Sequence, residues 1–104
     1  MYATSYSPSR AGVPDDYEYF GITACGKQLV KGLVAIDRRY IPFYTRMYVP
    51  GYGYAEACDT GGGVKGRWID LGYDDSNYEP WHQYVMVYFL TPVPPLDTIA
   101  WVFP

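Results

Sequence analysis

No apolar run in these 104 residues approaches the length of a membrane-spanning helix, so the chain reads as a soluble domain with no membrane span. Histidine occurs once, at His82, which leaves nucleophilic triads and multi-histidine metal centres without material; neither a metal nor another cofactor is expected. The two cysteines, Cys25 and Cys58, lack metal-binding spacing and cannot alone form a structural zinc site. Charged residues make up only 18% of the chain, below the usual quarter. They form no block of one sign, and the net charge is −3. Phosphate binding needs a basic field, so nucleic acid is excluded as a partner. Met1 leads straight into strand-like residues, so no secretory leader is expected within this sequence; for an exported protein the leader would have been removed or the domain excised.

Aromatic residues, by contrast, make up 19% of the chain, with thirteen tyrosines among them. Tyrosine suits half-buried strand positions, and it equally suits a surface that stacks on sugars. The length allows one domain and one core. Strands are expected at residues 2–7, 32–37, 46–49, 54–58, 67–71 and 84–90, from alternation and β-branched or aromatic content. Residues 9–20 read as an exposed loop. Pro50-Gly51-Tyr52-Gly53 reads as a hairpin turn. A turn or short helix is expected at residues 38–44, and another short helix at 74–81 with Asp75 or Ser76 as its N-cap. The pattern predicts a mainly β fold, a small closed barrel or a two-layer sandwich. Residues 1–90 form the domain and 91–104 a Pro-rich apolar tail, whose Trp101, Val102 and Phe103 are expected to dock on the domain or on a second copy.

Three aspartates stand at strand ends or within strands: Asp37 closes Leu33-Val34-Ala35-Ile36, Asp59 follows Cys58, and Asp70 lies in Trp68-Ile69-Asp70-Leu71. A carboxylate beside apolar residues is partly desolvated, which raises its pKa, and a second carboxylate nearby raises it further. Such a group can be a protonated acid at neutral pH, as glycoside cleavage and aspartic proteolysis both require. Asp59-Thr60-Gly61 is also the aspartic-protease triplet, but here the small pair Ala57-Cys58 precedes it instead of a greasy one. Gly61 to Gly66 fails as a phosphate loop because no Ser or Thr follows Lys65.

An ordered series of segments resembles the 3D (three-aspartate) domain. It runs through Val34-Ala35-Ile36-Asp37, Ile41-Pro42 with Thr45, Tyr48-Val49-Pro50-Gly51-Tyr52-Gly53, Asp59-Thr60-Gly61-Gly62 with Val64-Lys65-Gly66, and Ile69-Asp70-Leu71. Ala3-Thr4 with Tyr6 and Thr23-Ala24-Cys25-Gly26 fit its opening. The domain is that of stationary-phase survival muralytic proteins and, more distantly, of the membrane-bound lytic transglycosylase A type. The resemblance implies a small six-stranded double-psi β-barrel with one or two short helices. It implies an extracytoplasmic, cell-wall-associated lytic transglycosylase that cleaves the β-1,4 bond between N-acetylmuramic acid and N-acetylglucosamine and leaves a 1,6-anhydro sugar. Asp70 matches the catalytic acid, and Asp37 and Asp59 match supporting carboxylates. Thr23, Thr60, Gly61, Gly62, Lys65 and Trp68 are expected to bind substrate, with Trp68 as a groove wall. Cys25 and Cys58 fall in two of these motifs where the family need not have cysteine, which implies a disulfide in an exported domain. The expected partner is peptidoglycan, bound by a monomer or weak oligomer. The rivals are a non-catalytic, expansin-like glycan-binding barrel and an aspartic protease.

Overall fold

A computed structural model describes residues 1–90. Seven strands form one sheet: β1 (Tyr2–Tyr6), β2 (Leu33–Ala35), β3 (Arg46–Val49), β4 (Gly53–Asp59), β5 (Trp68–Gly72), β6 (Gln83–Tyr84) and β7 (Tyr88–Phe89). Their order is β6-β1-β5-β2-β4-β3-β7. The pairs β1–β5 and β2–β4 are parallel, and the other neighbours are antiparallel. The tail expected to dock through Trp101, Val102 and Phe103 lies outside the described residues.

The mainly β expectation holds, but a closed six-stranded barrel is not what the pairing shows. The sheet is open, with β6 and β7 as its two edges, and only residues 85–87 lie between them. So short a link spans roughly 14 Å at full stretch. The sheet must therefore curl until its edges come near each other. The single strand expected at 84–90 is a correction of the same kind. Its halves pair with strands at opposite ends of the sheet, β6 with β1 and β7 with β3. Alternation makes the segment extended; it carries no information on which neighbour meets its backbone groups.

Residues 38–44 hold turns, one of the two forms expected there, whereas the short helix expected at 74–81 is corrected. Among the described residues the helical element is one 3-10 turn, Pro8–Arg10. Residues 74–77 form a turn in which Asp74 Oδ1 accepts N–H bonds from Ser76 at 3.0 Å and Asn77 at 3.1 Å. Asp74 thus takes the role expected of Asp75 or Ser76, and Pro80 stops any continuation. The turn between β3 and β4 is as expected, with Gly51 and Gly53 at φ values of 86° and 117°.

The two sheet faces bury different residues. One covers the main core of Ala3, Val34, Ile36, Met47, Ile69, Leu71 and their neighbours. The other covers a smaller cluster of Tyr6, Leu29, Leu33, Ala35, Cys58 and Val64, against which Trp68 packs. Gly72, at the end of β5, has no room for a side chain. A Cβ there would collide with the Leu33 carbonyl oxygen and stand 2.8 Å from Leu29 Cδ1. Backbone cannot yield as a flexible side chain can. Gly72→Ala is expected to cost about 1–3 kcal/mol or more. A urea titration that returned the wild-type midpoint would contradict this.

Candidate functional site

The second face carries Asp59 and Asp70, and one irregularity in the pairing of β2 with β4 brings them into line, because β4 holds an extra residue, Cys58. Leu33 lies opposite Glu56 and Val34 opposite Ala57, but the register then shifts and Ala35 meets Asp59 instead of Cys58. A bulge of this kind re-aims a side chain. On its other side Ala35 pairs with Asp70 of β5. Asp70, Ala35 and Asp59 therefore stand in one row across three neighbouring strands, with the outer Cα atoms roughly 10 Å apart. The small Ala35 leaves the space between the carboxylates open. A cleft of about 280 Å³ lies over this row, lined also by Tyr6, Leu29, Thr60 and Gly61. Pro8, Arg10, Val13 and Tyr19, from the loop after β1, form its far wall.

Asp59 is held by three donors. The backbone N–H groups of Ala24 and Thr60 both reach Oδ1 at 2.9 Å, and the Tyr6 hydroxyl donates to Oδ2 at 2.7 Å. Burial, followed by the Asp59 charge, pushes the Tyr6 phenol well above its ordinary value, so it stays a donor. Asp70 has different partners. Burial pushes its carboxyl up to about 6, a hydrogen bond from Thr4 opposes the rise, and the Asp59 charge adds to it. The Thr4 hydroxyl donates to Asp70 Oδ1 at 2.9 Å and accepts from the Trp68 indole N–H at 2.9 Å. An indole N–H can only donate, which orients the threonine hydroxyl toward the carboxylate.

A carboxyl whose folded pKa exceeds its unfolded 3.8 favours folding fully below that value. This contribution is lost as pH rises through about 6. Asp70→Asn removes the ionisation. The variant is therefore expected to gain stability relative to wild type as pH rises from 4 to 7, read from paired thermal melts. A gap that stays constant, or narrows, over that interval would show Asp70 to be solvated.

Asp37 is placed differently. It is 4% exposed and accepts two bonds from the Arg39 guanidinium, Nε to Oδ1 at 3.0 Å and Nη2 to Oδ2 at 2.6 Å. The Gly66 N–H also donates to Oδ2, at 2.8 Å. The Arg39 side chain, helped by the Gly66 and Arg39 N–H groups against burial, holds Asp37 far below the ordinary carboxylate range. Asp37 does not line the cleft. It borders a smaller pocket, of about 160 Å³, on the other side of Thr60 and Gly61, together with Lys65. Its visible work is to tie the exit of β2 to the loop at 60–66.

Of the other residues expected to bind substrate, Thr60 and Gly61 line the cleft, whereas Gly62 is exposed on the adjoining loop. Thr23 is buried, and its hydroxyl donates to the Lys27 carbonyl at 2.9 Å and lies 3.5 Å from both cysteine sulfurs. Lys65 and Trp68 line a neighbouring cavity with Tyr2, Arg67 and Tyr84. Cys25 and Cys58 are disulfide-bonded, with Cα atoms 5.2 Å apart. The bond fastens the turn at 23–26 to β4 and sets the Ala24 N–H against Asp59. Thr4 and Tyr6, the direct partners of Asp70 and Asp59, carried no assigned role from sequence. Their signal was the alternation of β1, which puts both on one face.

Among the described residues no helix is long and apolar enough to cross a membrane. The family model for the 3D domain matches residues 32–91. The chain is 40% identical over 73 residues to the cell wall-binding protein YocH of Bacillus subtilis, a match covering 66% of this chain and 23% of that protein. It is 34% identical over 79 residues to the putative cell wall shaping protein YabE of the same organism, covering 72% of this chain and 18% of that one. The matches thus span about a fifth of the length of these curated relatives.

Proposed function

The chain belongs to the 3D domain family, and from that premise we propose that it is a peptidoglycan lytic transglycosylase with Asp70 as its acid and then its base. The observation that carries this reading is a half-buried carboxyl at the floor of an open cleft, pushed up to about 6 and paired across Ala35 with a second carboxylate. Protonated Asp70 gives its proton to the oxygen of the β-1,4 bond as the bond to C1 breaks. The leaving N-acetylglucosamine departs with that proton as its new hydroxyl. The C6 hydroxyl of the N-acetylmuramic acid then closes on C1 and returns its proton to Asp70. No water is consumed, and Asp70 ends as it began. Asp59, held by three donors, faces the positive charge that develops at C1. Thr4 occupies Asp70 Oδ1, which leaves Oδ2 as the oxygen that carries the proton.

A double-psi topology is part of this reading, and the curled sheet with near-meeting edges supports it. An extracytoplasmic setting at the wall is supported by the disulfide, since such bonds persist in oxidising compartments. A non-catalytic wall-binding barrel is the second reading, favoured by the relative described as cell wall-binding. Mass spectrometry of purified peptidoglycan digested by the chain separates the two. Release of 1,6-anhydro-muropeptides is the expected result. A chain that binds the wall material and releases none would establish the binding reading instead.

A further inference from the structure

A row of aromatic rings adjoins the aspartate row on the same face of the sheet. Tyr2 pairs in register with Trp68 of β5 and with Tyr84 of β6, so three rings line up across three strands. Their centroids lie 5.0 Å and 5.2 Å apart, each pair edge to face. The next row on that face holds Thr4 and Asp70, paired with each other two residues further along β1 and β5. Two residues of strand advance about 7 Å, the scale of one pyranose ring. The Trp68–Thr4–Asp70 hydrogen bonds join the rows. A shallow cavity of about 530 Å³ opens over the rings, with Lys65 and Arg67 at its border.

Packing alone accounts for part of this arrangement. Trp68 lies against the smaller core cluster and Tyr2 is half-buried. Tyr84 is not explained that way, because it is 81% exposed. A flat apolar ring with a polar tip matches the C–H face and rim hydroxyls of a sugar. Nucleic acid is a poor occupant, since two cations on a chain of net charge −3 supply little phosphate attraction. We propose that Tyr84, Tyr2 and Trp68 form a glycan subsite next to the cleavage cleft, which seats sugar units flanking the scissile bond and turns a carboxylate-bearing substituent of the strand toward Lys65. The proposal rests on the reading of the cleft as a glycan site. It adds a second stretch of bound strand and a preference for acidic over neutral amino-sugar polymers.

The test is calorimetric titration of the whole chain carrying Asp70→Asn, so that no strand is cut. Two probes of equal length are used: peptide-free peptidoglycan strands, which bear the lactyl carboxylate, and chitin oligosaccharides, which are neutral. Adding Tyr84→Ala should weaken both about tenfold, the loss typical of truncating an anchoring ring. Tyr84→Phe should restore both. Lys65→Ala should weaken only the acidic strand, and by less as salt is raised. Tyr54→Ala removes a ring that is 74% exposed on β4, outside the row, and should change neither affinity. If the parent binds both probes and Tyr84→Ala binds them equally well, the subsite is overturned while the cleft reading stands. Loss on Tyr84→Ala without discrimination by Lys65→Ala would overturn the acidic preference alone. A parent that binds neither probe would overturn the cleft reading and the subsite with it.

Discussion

Asp70→Asn is expected to lower release of anhydro-muropeptides by about 10²–10⁴-fold while the domain stays folded and still binds glycan. Asparagine keeps the shape and can still accept the Thr4 bond, but it has no proton to give the leaving oxygen. Because burial holds the Asp70 carboxyl at about 6, wild-type cleavage should decline as pH rises through that value. The neighbouring variants should behave differently. Asp59→Asn removes a negative charge that raises the Asp70 pKa, so the decline should move to lower pH. Asp37→Asn should act on stability instead, because its bonds go to Arg39 and Gly66 and it does not line the cleft. Melting temperature, glycan binding and product release measured on the same variants separate these cases. An Asp70→Asn protein that folds and cuts at the wild-type rate would remove Asp70 from the mechanism.

Loss of the Cys25–Cys58 disulfide is expected to be the largest single change in stability. The bond closes a loop between residues 33 positions apart, worth about 3–4 kcal/mol on the chain-entropy estimate. For a domain of this size that corresponds to a fall in melting temperature on the order of 20 °C. Activity should suffer beyond the loss of folded protein. The bond holds the turn whose Ala24 N–H fixes Asp59 Oδ1, supported by a hydrogen bond from Cys25 N–H to the Cys58 carbonyl at 3.0 Å. A Cys25→Ala/Cys58→Ala chain, compared with wild type with and without reductant, supplies the measurement. Equal melting midpoints in all three would show that the bond contributes nothing to stability.

The strands were legible where side-chain period and local composition coincide. Met47 and Val49 of β3 are buried, whereas Arg46 and Tyr48 face outward, and Gly51 and Gly53 provide the turn into β4. The segment at 84–90 misled because alternation survives a change of pairing partner. The stretch at 74–81 misled because Asp74, one position before Asp75 and two before Ser76, closes the turn on itself. The ordered motifs around Asp37, Asp59 and Asp70 identified the family before any geometry was known.

The sequence by itself determined that the domain is mainly β, which family it belongs to, and that Cys25 and Cys58 stand in two motifs suited to pairing. These follow from residue type and order along the chain. Only the tertiary structure separated the three aspartates. An extra residue in β4, Cys58, brings Asp59 opposite Ala35 and so into one row with Asp70, whereas Arg39 and Gly66 draw Asp37 to the other side of the loop at 60–66. Three strand-end carboxylates look alike in a sequence, because a pKa is set by burial and by neighbours distant along the chain. Thr4 lies 66 positions from the Asp70 it bonds, and Tyr6 lies 53 positions from Asp59. No local pattern encodes those contacts; the register of β1 against β5 and the shifted register of β2 against β4 create them.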